Sequence, residues 1–393
     1  MKIKDLAING IFSDGDWVES KDQDSNGNIR LIQLADIGDG YFVDKSNRFM
    51  NEETTKRLNC TFLEKDDIIV ARMPDPIGRC CLFPFEEKRK YVTVVDVCIL
   101  RIGKNAIPKY VMYALNSPIS RHKIEGQVTG TTRERITKKK IGELEIPLPP
   151  LATQQKIAAI LDAADAYRQK TKTLIAKYDQ LAQSLFLDMF GDPVRNKKIW
   201  EENTVEEICL KICGGGTPSK SKPEYFKGNI PWVTPKDMKS IKIMDSIDHI
   251  NEEAIQNSST NLIESGAILM VIRSGILKHT LPVAINVVDV AINQDMKAFF
   301  PNSKKIIPLY LLYFFITGQR SLLSKVRAVT ADNIEFKQIK ELIIPVPPIS
   351  LQNKFAERIQ LIEAQKQQAQ ASLQKAENLF NSLLQRAFKG ELG

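Results

Sequence analysis

Residues 146–157 read IPLPPLATQQKI, and residues 344–355 read IPVPPISLQNKF. Six of these twelve positions are identical at an offset of 198. The same register, without a gap, sets Asp179-Gln180-Leu181 against Glu377-Asn378-Leu379, Ser184-Leu185 against Ser382-Leu383, and Phe190 against Phe388. The chain is therefore written twice, and internal repetition is the first thing to read from such a sequence. Each Pro-Pro pair stops a strand and precedes a helix start. Behind it, apolar residues recur in steps of four and three. The first copy gives Ile157, Leu161, Ala164, Ile175, Tyr178, Ala182, Leu185 and Met189; the second gives Phe355, Ile359, Ile362, Leu373, Ala376, Phe380, Leu383 and Ala387. That spacing predicts a heptad seam on two long helices, ended by Gly191 and Gly390. Weaker positions, Arg168 and Thr171 or Lys366 and Ala369, interrupt each seam. The expectation is an intramolecular antiparallel pair, each helix a rod of roughly 58 Å. The alternative is that each helix packs on its own globular domain.

Upstream the repeat is weaker. Ile107-Pro108-x-Tyr110-x-x-Tyr113 matches Ile307-Pro308-x-Tyr310-x-x-Tyr313, and Gly27-Asn28-Ile29 matches Gly228-Asn229-Ile230, with Asp36 opposite Asp237. These regions read as mixed α/β. Strand candidates are the β-branched runs 67–71, 92–100, 230–234, 268–272 and 283–291. Helices are expected to start at Pro108 and Pro308. The predicted layout is a globular α/β domain at 1–145, a Pro-Pro leader and long helix at 146–192, a second α/β domain at 193–343, and a second leader and helix at 344–393. The scaffold repeats while the two hearts differ, which predicts one architecture carrying two different surfaces.

The chain has 393 residues, enough for two or three domains. Its 43% hydrophobic and 26% charged residues exclude disorder as the dominant state. The net charge of +8, from 55 Lys+Arg against 47 Asp+Glu, is compatible with a polyanionic partner. The six cysteines form no CxxC pair, and the three histidines are isolated. That excludes a zinc site of ordinary spacing and fits reduced thiols inside a cell. No signal peptide is read at the N-terminus, and the longest apolar run, 306–316, is too short to span a bilayer. A cytoplasmic location is expected.

The search for catalysis finds little. There is no GxxxxGK[ST] phosphate loop, no Asn-Pro-Pro-aromatic sequence of an amino-methyltransferase and no dinucleotide fingerprint. The cluster Gly214-Gly215-Gly216-Thr217 reads as a flexible or close-approach loop. Pro74-Asp75 with Glu86-Glu87-Lys88 imitates a nuclease metal site, but the lysine falls in a charged loop and has no counterpart in the second copy. Binding signals are stronger. Residues 126–140, GQVTGTTRERITKKK, mix small residues and threonines with cations, as phosphate and base-edge contacts need. The DNA-contact candidates there are Thr131, Thr132, Arg133, Arg135, Lys138, Lys139 and Lys140, with Arg72 and Arg79 upstream. In the second region they are Lys220, Lys222 and Lys236 around Trp232, then Arg273, Ser274, Lys278 and Asn333, in the stretches Arg273-Ser274-Gly275 and Thr330-Ala331-Asp332-Asn333.

A duplicated chain in which each half is a variable domain, a Pro-Pro leader and a long helix resembles the specificity subunit of type I restriction–modification enzymes. The motifs carrying it are 146–157, 344–355, the tails 181–190 and 379–388, and GGGTPSKSKPEYFKGNIPWVTPKDM at 214–238. The resemblance implies two target recognition domains, each reading one half of a split, asymmetric DNA site. It implies helices that fix the gap between half-sites. It implies two modification (methyltransferase) subunits binding S-adenosylmethionine, and restriction subunits using ATP and Mg²⁺. The chain itself is then non-catalytic and holds no cofactor or metal. Two other readings predict different behaviour. A nuclease would depend on Asp75, Glu86 and Lys88. A protein-binding scaffold would leave DNA unprotected.

Overall fold

A computed structural model describes residues 1–128, 134–324, 327–328 and 332–392. They fall into two compact units, Met1–Lys172 with Ala371–Gly393, and Thr173–Gln370. The first unit runs β1 (Ala7–Asp14), β2 (Ile29–Ile32), β3 (Phe49–Met50), α1 (Glu52–Arg57), β4 (Ile68–Ala71), β5 (Cys80–Leu82), β6 (Tyr91–Thr93), β7 (Val97–Ile102), α2 (Pro108–Asn116), α3 (Pro118–Glu125), α4 (Lys138–Gly142) and the start of α5 (Leu151–Phe190). The second unit takes the rest of α5, then β8 (Glu201–Thr204), α6 (Val205–Ile208), β9 (Cys209–Gly214), β10 (Ile230–Val233), β11 (Lys242–Ile243), β12 (His249–Ile250), α7 (Glu252–Gln256), β13 (Leu262–Ile263), β14 (Ile268–Val271), β15 (Val283–Asn286), β16 (Val290–Ile292), β17 (Met296–Pro301), α8 (Pro308–Leu323), β18 (Arg327–Ala328), β19 (Asp332–Asn333), α9 (Phe336–Lys340), β20 (Ile343–Val346) and most of α10 (Ile349–Phe388), whose end returns to the first unit.

The sheets repeat as the sequence does. In the first unit β1-β7-β4-β5 is antiparallel, and β3-β2-β6 is mixed, with β2 parallel to β6. In the second, β9-β17-β14 extends to β15 and β11, and β12-β10-β16 is again mixed, with β10 parallel to β16. Two expected strands are each broken in two. The run 92–100 becomes β6 and β7, in different sheets, because Asp96 turns the chain and its carbonyl accepts the Arg72 amide at 2.9 Å. The run 283–291 becomes β15 and β16, because Asp289 turns outward to accept the Ser265 amide at 2.9 Å. A β-branched run has no period that reveals such a break.

Pro108 and Pro308 open α2 and α8 as first helical residues. Both long helices contain 40 residues. Gly191 (φ 85°) and Gly390 (φ 83°) follow them in the left-handed conformation that a Cβ disfavours. Within the first unit, the start of α5 and the end of α10 bury Ile157, Leu161, Phe380, Leu384 and Phe388 against β4, β7 and α2, with Ala164 and Leu383 at the margin. Within the second, the end of α5 and the start of α10 bury Phe186, Phe190, Phe355 and Ile359 against β14, β17 and α8, with Leu185 and Ile362 at the margin. Start meets end in each unit, as in an antiparallel pair, and both helices also seat on a globular core. Ile175, Tyr178 and Leu373, midway along the helices, are only half-buried.

Candidate nucleic-acid interface

In the first unit three distant stretches converge where β4 ends. Arg72 is buried and donates from Nε to the Ile136 carbonyl (3.1 Å), from Nη1 to the Val95 carbonyl (3.2 Å) and to Asp14. Lys138 Nζ lies 3.9 Å from the other Asp14 oxygen. Arg135 Nη2 lies 2.9 Å from Asp96 Oδ1. The Thr137 side chain accepts the Lys140 amide and caps α4. Lys140 Nζ donates to the Gln127 carbonyl at 2.6 Å, and Lys139 is exposed. Arg79 sits apart: it is buried, and its donors reach the carbonyls of Ile37, Leu34, Met73 and Pro76. Burial and the nearby Arg121 charge lower its pKa. Thr131, Thr132 and Arg133 lie outside the described residues.

The second unit builds a comparable cluster from other side chains. Arg273 Nε and Nη2 both reach Asp295 Oδ1 at 2.6 Å. Asn293 Nδ2 holds the second Asp295 oxygen at 3.0 Å. Arg273 bridges to Asn333 across the backbone, and Ser274 accepts the Ile276 amide. Beside it, Thr217 hydrogen-bonds Gln294, and both are exposed. The glycine cluster is a close-approach loop: a Cβ on Gly215 would stand 1.9 Å from the Ile292 carbonyl oxygen. Trp232 Nε1 donates to the Gly216 carbonyl at 3.2 Å and fixes the loop. Other candidates are engaged elsewhere. Lys222 donates to the Tyr225 hydroxyl at 2.9 Å, and Lys236 pairs with Asp248 at 2.7 Å, both bonds raising the lysine pKa. Lys220 and Lys278 are exposed. Of the suggested nuclease group, Glu86 pairs with Lys65, and Asp75 and Lys88 are exposed. No group of three His, Cys, Asp or Glu able to hold a metal occurs among the described residues, and no described helix is long and apolar enough to cross a membrane.

Sequence reading, tuned to cations, missed the acids that organise both clusters: Asp14, Asp96 and Asp295. It also missed Asn293 and Gln294. Aligning Val94-Val95-Asp96-Val97 with Asn293-Gln294-Asp295-Met296, at an offset of 199, was the available signal.

Near the first cluster, Asp16 accepts the Thr61 amide at 3.2 Å, and burial pushes its carboxyl up to about 6. The folded protein thus holds this proton more tightly than the unfolded chain, whose value is near 3.8. Its contribution is present below pH 3.8 and is lost as pH rises through about 6. Asp16→Asn is expected to flatten that part of the stability profile, measured as urea midpoints from pH 4 to 7; an unchanged slope would refute the assignment.

The model of the type I restriction–modification DNA specificity domain matches residues 1–177 and again 197–377. The chain belongs to this family: it is a specificity subunit of a type I restriction–modification system, a DNA-recognition chain rather than a catalytic one. It is 33% identical over 285 residues to the specificity subunit of the type I restriction enzymes EcoR124I and EcoR124II of Escherichia coli, covering 70% of this chain and 67% of that one. It is 23% identical over 395 residues to the EcoKI specificity subunit of E. coli K12, covering 93% and 82%. The fold is that of the S subunit from M. genitalium, with a TM-score of 0.52 at 17% identity over 99% of this chain and 95% of that one.

Proposed function

We propose that the two α/β regions, 1–145 and 193–343, are target recognition domains that each read one half of a split, asymmetric DNA site. The leaders and long helices, 146–192 and 344–393, set the gap and dock two methyltransferase subunits. Those partners bind S-adenosylmethionine and methylate an adenine in each half-site; restriction subunits that use ATP and Mg²⁺ join them. The chain itself binds no cofactor and works in the cytoplasm of a prokaryotic cell. Adenine methylation within a duplex requires the base to be flipped into the partner's pocket, and a specificity subunit holds the deformed duplex meanwhile.

One observation carries this reading. The sheet register repeats between units, yet the side chains at the strand ends do not: Asp14 stands where the second unit has Gly214, and Arg135 where it has Asn333. A common frame with unlike polar faces is what two unlike half-sites require, because base edges are distinguished by donor and acceptor pattern.

The test is a map of modified adenines in cells expressing this chain with its methyltransferase subunit. Exchanging residues 1–145 for those of a relative is expected to replace one half of the modified motif and leave the other half and the gap intact. Change in both halves would sink the modular reading. Absence of any split motif with the natural chain would sink the function itself.

A further inference from the structure

We propose that Arg135 and Arg273 read guanine, one in each half-site, and that Asp96 and Asp295 are the residues that position them. This rests on the reading of the chain as a split-site DNA reader.

The sheet register makes the two places comparable. Asp14 and Val70 flank Cys98 across β1-β7-β4; Gly214 and Met270 flank Lys297 across β9-β17-β14. Asp96 and Asp295 therefore occupy one structural position, two residues before Cys98 and Lys297. The strand ends agree. The Arg72 amide donates to the Asp96 carbonyl at 2.9 Å, and the Ile272 amide to the Asp295 carbonyl at 2.8 Å. The Arg72 and Ile272 carbonyls accept from Ile136 and Ile334 at 3.0 and 2.9 Å.

Around this shared aspartate the charges are rearranged as a set. The first unit has a buried Arg72 bound to Asp14. The second has Ile272 and Gly214 at those positions, so both halves of that ion pair are lost together. The aspartate stays, and in both units it holds a guanidinium, but the guanidinium arrives from different loops. Arg135 comes from the segment before Ile136; its counterpart in the second unit is the uncharged Asn333. Arg273 comes from the residue after Ile272; its counterpart in the first is Met73. Packing does not explain a guanidinium delivered twice, by different routes, to one carboxylate at the end of a sheet. A shared task does.

The chemistry of the pair selects a base over a phosphate. In each pair the guanidinium is the more exposed partner: the side chain of Arg135 is 37% exposed against 26% for Asp96, and that of Arg273 is 50% against 22% for Asp295. A carboxylate within 3 Å offsets the cation's charge and repels a phosphate at the same spot. In the second unit Asp295 takes the Nε–Nη2 edge of Arg273 and leaves the end-on Nη1–Nη2 edge as the one that can meet a base. Guanine presents adjacent O6 and N7 acceptors in the major groove, the match for two parallel N–H donors. Holding the long side chain in advance lowers the entropy lost on contact. In the second unit Asn293 holds the aspartate in turn.

The experiment uses the complex of this chain with its methyltransferase subunit, with modified motifs mapped and binding measured on oligonucleotides of that motif. Arg273→Lys and Arg273→Gln are expected to lower the preference for guanine at one position of one half-site, roughly 5- to 150-fold. Arg135→Lys and Arg135→Gln are expected to do the same in the other half. Lysine keeps the positive charge but replaces the rigid planar fork with a flexible point charge, which holds guanine less selectively. If the lysine variants keep the natural motif while the glutamine variants weaken binding evenly across sequences, the arginines touch phosphate and the inference is overturned. An unchanged motif in all four also overturns it, while leaving the split-site function standing. A natural complex with no split motif removes both.

Discussion

Phe355→Ala is expected to lower the unfolding free energy by about 3–5 kcal/mol, the usual cost of emptying a phenylalanine site in a packed core. Phe355 is 0% exposed and stands where the start of α10 meets the end of α5 and the face of α8. Its ring centroid lies 5.6 Å from Phe186, 5.3 Å from Phe190 and 5.4 Å from Tyr313, each in edge-to-face contact. Such contacts add to area burial, at about 0.5–1.5 kcal/mol per pair. Tyr310 closes the cluster at 4.8 Å from Phe190, and its hydroxyl reaches the Pro345 carbonyl at 2.6 Å, so the surrounding rings are pinned and collapse poorly into a void. The control is Leu361→Ala six residues along the same helix. Leu361 is 69% exposed, so its loss should fall within about 0.5 kcal/mol of zero. Urea unfolding followed by helical circular dichroism measures both. A loss below 1 kcal/mol for Phe355→Ala would show that the helix ends are anchored by something else.

The scaffold was legible because its signals are local and periodic. Pro-Pro followed by a heptad pattern needs no tertiary information, and repetition at a fixed offset turns a weak pattern into a firm one. Phe186 escaped the seam, although it is 1% exposed, because it faces the globular core and lies one residue off the heptad step that Leu185 satisfies. The polar clusters were legible only in part. Arg72, Arg135 and Lys138 stand out by charge, but nothing in the linear sequence says that Arg72 turns inward onto Asp14 and two carbonyls while Arg135 remains half-exposed. That outcome is set by non-local pairing across more than 50 residues. Asp96 was hidden inside a run that read as one strand, and so the turn that presents it was missed.

Gln352→Ala is the second large loss, about 3 kcal/mol, and it arises from polar groups rather than from volume. The glutamine common to IPLPPLATQQKI and IPVPPISLQNKF is buried in both copies, 1% exposed at Gln154 and 0% at Gln352. Gln352 Oε1 accepts the Ile307 amide at 2.9 Å, and its Nε2 donates to the carbonyls of Pro347 at 2.8 Å and Lys305 at 3.1 Å. Gln154 does the same with Ile107, Pro149 and Asn105. Each glutamine thus clasps the loop before a Pro-started helix to the Pro-Pro leader of a long one. Only an amide offers one acceptor and two donors in that shape. Truncation leaves one amide and two carbonyls buried without partners, at about 1–3 kcal/mol each where water does not reach them. Gln352→Met separates polarity from packing, because it fills the space but makes none of the bonds; it should lose nearly as much as the alanine. Gln352→Glu keeps the acceptor but aims a charge at two carbonyl oxygens. That raises its folded-state pKa above the roughly 4.3 of a free glutamate, so its deficit should be greatest at neutral pH and shrink as pH falls. Urea midpoints for the three variants at pH 5 and 7.5 decide the matter. If methionine restores most of the stability, the repeated glutamine fills space, and the clasp is not what the two copies share.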